Sequence, residues 1–398
     1  MVRRLKNLSH FFRALLAVIF YRFPARDLTV IGVTGTDGKT TTVHLIGAIL
    51  REAGIKVATI STLGAYLGNE KVQTGFHVTT PNPWLIQRLL RQAVNKGFTH
   101  VVLEATSHGL DQHRLLGCNF EVGVITNVTR EHLDYHGTYE KYLEAKSKLL
   151  CGGRVAIINK EDRSYERLEV RCKRYKVKTL SYGLKNGDYT PKNFSFKTKL
   201  PGEYNLYNCL AAIAVAKSLK IEDQTIKNAI ETFDSLPGRM EEVETGKDFK
   251  VFVDFAHTPA AFERVLETVR SMTKGRIIHV FGCTGDRDKT KRLAMGETSA
   301  RLSDKIILTS EDTYSEDPGT IIESIETGVK KGGKVEKKGY WKVSDREEAI
   351  KMAVEMARKN DSVLLTGVGH QTTLNVGGRE IHWSEKEVVE RAIRGDSK

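Results

Sequence analysis

An α/β fold is predicted for this sequence: a central P-loop domain built on a mostly parallel sheet, followed by a Rossmann-like α/β C-terminal domain. Three features point there. From Leu28 onward, short β-branched runs alternate with amphipathic helices, the pattern of a parallel sheet covered on both faces. A glycine-bearing Gly38-Lys39-Thr40 loop lies between the first run and the first helix. The alternation is punctuated at Leu236-Pro237-Gly238 and then begins again.

With 398 residues and 40% hydrophobic content the chain can build two or three packed cores. The organisation expected is a basic amphipathic segment over 1–27, an ATP-binding domain over 28–235 and a C-terminal domain over 236–398. The formal charge is +13, but no basic stretch interleaved with aromatics and no reading module appears, so nucleic acid is not the expected partner. Cys118, Cys151, Cys172, Cys209 and Cys283 make an odd set with no close pair, which fits neither a disulfide framework nor a zinc site and suits a reducing cytoplasm.

In the first 26 residues, Arg3, Arg4, Lys6, Arg13, Arg22 and Arg26 surround an apolar run too short to span a bilayer of about 20 residues, and no signal-cleavage site follows it. Two readings stand: a helix packed on the next domain, or peripheral contact with the inner face of an anionic membrane. Beyond it, strands are expected at Thr29 to Val33, Val57 to Ser61, His100 to Glu104, Val122 to Asn127 and Arg154 to Asn159. Helices are expected from Lys39 to Ala53, closed by Gly54, from Asn82 to Asn95 and from Asn205 to Lys217. In the second series the strands are Val251 to Asp254, Arg276 to Phe281, Lys305 to Thr309 and Ser362 to Thr366. Its helices are Ala260 to Arg270, Lys289 to Leu302, Ile321 to Lys330 and Glu347 to Lys359.

The chemistry is concentrated after the first strand. In Thr34-Gly35-Thr36-Asp37-Gly38-Lys39-Thr40-Thr41-Thr42, glycines allow a tight turn whose N–H groups, together with the helix N-terminus, face one anion. Lys39 would neutralise β- and γ-phosphate oxygens and the Thr40 hydroxyl would bind Mg²⁺. Val33 stands where the strict spacing asks for glycine, so the loop is a variant. Glu104 ends a strand, where a carboxylate can stand beside the loop or be a solvated loop residue. His132, just after another strand, could ligate a metal or simply be hydrogen-bonded. Lys146 reads from composition alone as a helix-surface lysine.

Taken together, Gly35 to Thr42, Glu104 to Arg114, Asn127 to Gly137 and Ala145-Lys146 resemble the Mur ligase family, nearest its UDP-N-acetylmuramoyl-tripeptide synthetase branch. Tyr204 to Asn208, Leu236 to Glu241, Val253 to Pro259 and Phe281 to Lys289 agree in order, so the resemblance covers roughly residues 28 to 390. It implies an ATP-dependent ligase of cell-wall peptide synthesis that activates a carboxylate as an acyl phosphate and joins it to an amine. By the same resemblance, Gly35, Thr36, Asp37, Gly38, Lys39, Thr40 and Thr41 would hold ATP, with Asn205, Asn208, Arg239, Asp254 and His257 also reaching the nucleotide. Thr40, Glu104, His132 and a carbamylated Lys146 would hold Mg²⁺, which overturns the surface reading of that lysine. Thr79, Thr80, Thr106, Ser107, Gln112 and Arg114 would contact a muramyl-peptide acceptor, Arg292 would grip the incoming amino acid, and Tyr314, Gly367 and Gln371 would also bind substrate.

The sequence also departs from the family. Only 27 residues precede the domain that starts at Leu28, so the resemblance implies a chain without the usual UDP-binding domain and leaves open whether the acceptor is UDP-linked or lipid-linked. Glu311-Asp312-Thr313-Tyr314 stands where diaminopimelate-adding relatives carry Asp-Asn-Pro-Arg, and Gly367-Val368-Gly369-His370-Gln371 replaces Gly-Lys-Gly-His-Glu. The distal-carboxylate clamp is thus absent, which argues against diaminopimelate. A folylpolyglutamate- or cyanophycin-type ligase and a nucleotide-binding, membrane-associated scaffold are the competing readings. The amino acid and the oligomeric state are left open.

Overall fold

The computed structural model describes residues 2–72, 74–75 and 79–395, with the side chains of the first six residues, including the predicted basic Arg3, Arg4 and Lys6, outside the described set. The chain divides into two compact units, Met1–Asp234 and Ser235–Lys398.

The first unit opens with helix α1 (Val2–Phe20) and is built on strands β1 (Thr29–Thr34), β2 (Val57–Ser61), β3 (Gly64–Leu67), β4 (Glu70–Val72), β5 (His100–Glu104), β6 (Phe120–Ile125), β7 (Val155–Asn159) and β8 (Lys178–Tyr182). They form one sheet in the order β4-β3-β2-β5-β1-β6-β7-β8. Strands β2, β5, β1, β6, β7 and β8 run parallel, and the β3–β4 hairpin adds antiparallel at one edge. That hairpin and β8 are not in the sequence reading. Strand β6 starts and stops two residues earlier than expected, because Asn127 leaves the ladder to bind Thr36 and Asp37.

Helices cover both faces of the sheet. On one, α2 (Lys39–Glu52) sets Leu45, Ile46 and Ile49 against Leu210, Ala211 and Ala214 of the alanine-rich α8 (Glu203–Ser218). On the other, α3 (Pro83–Asn95) packs Ile86, Leu89 and Leu90 over Ile60 and Leu103. Each such fully buried Leu or Ile contributes about 2 kcal/mol relative to exposure. The start of α3 is fixed locally: Asn82 accepts the Leu85 N–H at 3.0 Å and Pro83 supplies a pre-set φ. Shorter helices α4 (Ser107–Asp111), α5 (Leu133–His136), α6 (Tyr139–Ser147), α7 (Tyr165–Arg174) and α9 (Asp223–Thr232) complete the unit.

Helix α1 packs on this unit by one face. Ala14, Ala17 and Val18 are buried, and Val18 lies so close to Gly117 that a Cβ there would stand 2.7 Å from it. Arg91 holds the end of the segment by donating to the carbonyls of Tyr21 and Arg22.

The second unit carries β9 (Glu241–Val243), β10 (Lys250–Asp254), β11 (Ile277–Phe281), β12 (Lys305–Leu308), β13 (Tyr340–Lys342) and β14 (Ser362–Thr366), in the order β13-β12-β11-β14-β10-β9. All neighbours pair in parallel except β9 with β10. Helices α10 (Pro259–Met272), α11 (Lys291–Leu302), α12 (Pro318–Lys331), α13 (Arg346–Met356) and α14 (Glu385–Arg394) accompany it, with a small hairpin of β15 (Thr373–Val376) and β16 (Arg379–His382). Helix α11 begins two residues later than expected, since Asp288 accepts from the Thr290 N–H and hydroxyl and holds the preceding turn. Helix α13 stops three residues early, where Asp361 takes the Arg358 N–H.

Candidate active site

The sheet order puts β1 between β5 and β6, so the loops leaving the carboxyl ends of these strands meet in one crevice, the usual ligand position of open α/β sheets. Register makes the meeting specific: Val33 of β1 pairs with Glu104 of β5, and Thr34 pairs with Ile125 of β6.

The phosphate loop is held by the two residues that follow β6, Thr126 and Asn127. Thr36 N–H donates to the Asn127 carbonyl and Asp37 N–H to Asn127 Oδ1, each at 2.9 Å, while the Thr126 hydroxyl and Asn127 Nδ2 both donate to the Asp37 carbonyl. Gly38 caps α2 at φ 80°, and a Cβ there would lie 2.3 Å from Asn208 Oδ1. Only glycine satisfies both demands. Asn208 in turn accepts from the Thr42 hydroxyl and donates to Asn205, so the two predicted nucleotide-side asparagines of α8 form one network with the loop. Lys39 Nζ donates to the Thr36 carbonyl at 2.7 Å, across the mouth of the loop. The first N–H groups of α2, around Thr40 and Thr41, lack intrahelical acceptors, which suits that end of the helix to an anion.

Glu104 is buried, and its Oε2 accepts from Thr40 Oγ1, Thr62 N–H and Thr62 Oγ1, each at 3.0 Å. Thr62 is the candidate site residue that sequence reasoning missed. It follows β2, and it reaches Glu104 because β2 and β5 are paired; its hydroxyl also lies 3.1 Å from that of Thr79. The hydroxyl and carboxylate are hard oxygen donors at a helix N-terminus, a donor set that suits Mg²⁺.

Lys146 is 2% exposed, not on a helix surface. The side of α6 that carries Tyr142, Leu143 and Lys146 packs inward, and Lys146 Nζ donates to the Gly35 carbonyl at 2.6 Å while lying 4.6 Å from the Tyr142 ring centroid. No carboxylate among the described residues forms an ion pair with it. Burial pushes its pKa well below the ordinary lysine range, and the nearby Lys39 charge adds to that. Tyr142 also ties its hydroxyl to Thr36 at 3.1 Å.

His132 immediately precedes α5 in a left-handed conformation, φ 53°, with its Nε2 3.9 Å from Glu131 and its ring 4.8 Å from that of His108. Burial, helped by His132, pushes His108 down to about 4, so its ring is neutral at ordinary pH. No three His, Cys, Asp or Glu side chains among the described residues are gathered to hold a metal.

The predicted acceptor residues are brought together. Thr80 accepts from the Thr106 N–H and donates to the Glu104 carbonyl, Arg114 donates to the Thr80 carbonyl and Gln112 Oε1, and Gln112 donates to Tyr135. Ser107 Oγ lies 3.0 Å from His136 Nε2.

In the second unit, Asp254 accepts from the N–H groups of Met240 and Ala256, and burial raises its pKa against the pull of Arg239. The Arg239 guanidinium lies over the Phe255 ring, and His257 Nδ1 is 2.9 Å from the Phe255 carbonyl. Tyr314 takes Arg287 over its ring, Gln371 donates to Asp312, and Gly367, at φ 101°, packs against Glu311. Arg292, expected to meet the incoming amino acid, is held by a carboxylate of the chain itself. It is 1% exposed, and both terminal nitrogens donate to Glu316 at 2.8 Å. A substrate carboxylate there would compete with a bidentate partner already in place.

A phosphate loop at a parallel sheet edge, with an oxygen pair on one side and a buried lysine on the other, defines an enzyme of phosphoryl transfer. The family models narrow this: that of the Mur ligase middle domain matches residues 33–216, and that of the Mur ligase glutamate ligase domain matches 238–369. The UDP-N-acetylmuramoyl-L-alanyl-D-glutamate–2,6-diaminopimelate ligase 1 of Clostridium acetobutylicum is 38% identical over 402 residues, covering 96% of this chain and 81% of that protein. A solved structure of a ligase of the same name is 31% identical with a TM-score of 0.63, over 92% of this chain and 78% of that one. The bifunctional folylpolyglutamate/dihydrofolate synthase of Yersinia pestis, solved with AMPPNP and a Mn ion, shares the fold at TM-score 0.74 and 17% identity, over 90% of this chain and 91% of that one. The chain belongs to the Mur ligase family, and is an ATP-dependent acid–amino-acid ligase.

Proposed function

We propose that this ligase extends a muramyl-peptide-type acceptor by one amino acid in peptidoglycan synthesis, with residues 28–235 binding ATP and acceptor and residues 236–398 contributing to the nucleotide and amino-acid sites. The observation that carries the reading is the convergence of Thr40 and Thr62 on Glu104 Oε2 at one side of the phosphate loop while Lys146 holds the Gly35 carbonyl at the other.

The acceptor carboxylate attacks the γ-phosphorus of ATP, ADP leaves, and an acyl phosphate forms. The amine of the amino acid then attacks the acyl carbon, phosphate departs, the amine loses its proton, and an amide remains. The first step brings two anions together, and this chain offsets their charge with Lys39 and the amides of Gly38 to Thr41. Mg²⁺, when bound, neutralises phosphate oxygens as a Lewis acid. Thr40, Glu104, His132 and Lys146 would hold it, Lys146 as a carbamate. A lysine buried without a carboxylate partner favours its neutral form, the form that adds CO₂ at nitrogen, and the product is an anionic oxygen donor. Asn205 and Asn208 would bear on the nucleotide, as would Arg239, Asp254 and His257. Thr79, Thr80, Thr106, Ser107, Gln112 and Arg114 would orient the acceptor.

The test is a panel of amino acids incubated with ATP, Mg²⁺ and UDP-muramyl-dipeptide, read by mass and by released phosphate. A product heavier by one residue, formed only with ATP, supports the reading. Tight ATP binding without turnover on any acceptor supports a scaffold instead, and turnover on a folate or polypeptide acceptor points to the other branches of the fold.

A further inference from the structure

Helix α1 is apolar on two faces, and the fold uses only one. Ala14, Ala17 and Val18 pack inward, whereas Leu8, Phe12, Leu16, Ile19 and Phe20 recur at helical spacing on the outward side, each between 52% and 67% exposed. Scattered exposed leucines are ordinary, but a contiguous row on one helix face is not. The row continues onto Trp84 of α3, 37% exposed, whose ring lies 5.4 Å from Phe20 and 6.2 Å from Tyr21.

The charge carried by the segment itself has one sign. From Met1 to Arg26 the chain carries six Arg or Lys and no Asp or Glu. Arg13, Arg22 and Arg26 are exposed, as is Arg88, one turn along α3 from Trp84. No helix among the described residues is long and apolar enough to cross a membrane.

We propose that the outward face of α1, with Trp84, lies in the surface of an anionic lipid bilayer, parallel to it rather than through it. Leu8, Phe12, Leu16, Ile19 and Phe20 enter the acyl boundary, the indole of Trp84 sits at headgroup level, and the arginines meet lipid phosphates. Charge selects this occupant over a second copy of the chain. A two-fold contact through the same patch would bring Arg13 and Arg22 toward their own copies, whereas anionic headgroups supply the opposite sign.

The experiment is co-sedimentation of the full chain with vesicles of phosphatidylglycerol and phosphatidylcholine, and with phosphatidylcholine alone, at rising salt. The expected result is partition onto the anionic vesicles that weakens with salt, with a blue shift of Trp84 emission that Trp84→Phe removes. The pair Phe12→Glu and Leu16→Glu is expected to weaken partition by at least roughly tenfold without changing the melting profile, since both side chains are more than half exposed. Arg13→Gln with Arg22→Gln is expected to erase the preference for anionic lipid. The proposal is overturned if the chain stays in the supernatant with anionic vesicles, or if the Glu pair binds them as well as the parent. A lipid-free dimer that the Glu pair dissolves, with no vesicle binding by the parent, overturns it in favour of a self-interface. Partition is measured without ATP or acceptor, so its outcome is independent of the proposed ligation.

Discussion

Two of the largest fully buried side chains in this molecule are cations, one in each unit, and they are held in opposite ways. Arg292 in the second unit forks onto Glu316, which Lys289 also approaches at 3.0 Å, so its charge is neutralised where it stands. Lys146 in the first unit has a backbone carbonyl and an aromatic ring for company. A buried charge with a bidentate partner is a structural element, and taking away one partner exposes the cost of burying the other. A buried amine without such a partner gives up its proton more readily.

The sharpest way to break this contrast is Lys146→Ala, expected to reduce ligation by more than about 10³-fold, or about 4 kcal/mol of barrier, while leaving the melting temperature nearly unchanged. Partial recovery on adding short carboxylates, and a ¹³C carbamate resonance present only in the parent, would sharpen it; full activity in the alanine variant removes the carbamate role. Arg292→Met is expected to do the reverse, lowering unfolding free energy by about 3 kcal/mol in denaturant titration because Glu316 is left without its main partner. Equal stability of the two proteins would make that ion pair incidental.

Thr62→Val tests whether Glu104 is positioned by its neighbours. A loss of about 10-fold in kcat is expected, with a higher Mg²⁺ requirement and near-complete retention in Thr62→Ser, which keeps the hydroxyl. Unchanged Mg²⁺ dependence would limit Thr62 to packing. The smallest effect expected is on pH. Arg292 holds the Glu316 carboxyl well below its ordinary range, so the stability it contributes is fully present above the ordinary glutamate value of about 4.3 and is lost as pH falls from there through the depressed folded value. Acid unfolding curves of parent and Arg292→Met should therefore converge as pH drops below about 4; parallel curves would contradict the assignment.

The framework of the first sheet was legible because β1, β2 and β5 are β-branched runs bounded by turn residues, and β14 of the second was legible for the same reason. The edges were not. Strand β4 is Glu-Lys-Val with two exposed residues, and β16 is exposed throughout, so neither carries a hydrophobic alternation to read. The phosphate loop was visible because its chemistry is local in sequence. Thr62 was hidden because its partnership with Glu104 spans 42 residues and exists only through the pairing of β2 with β5. Lys146 was misread by composition because helix periodicity does not say which side of a short polar helix faces in. Arg292 shows the complementary case: family resemblance suggested a ligand contact, and nothing local in sequence announced that Glu316, 24 residues away, would pair with both terminal nitrogens.

The hydroxyl line from Thr79 through Thr62 to Glu104 has a further consequence. A threonine hydroxyl owns one hydrogen, so Thr62 can give it to the carboxylate or to Thr79, never to both at once. A cation held by the Glu104 oxygen would leave that hydrogen to Thr79, which stands beside the proposed acceptor residue Thr80.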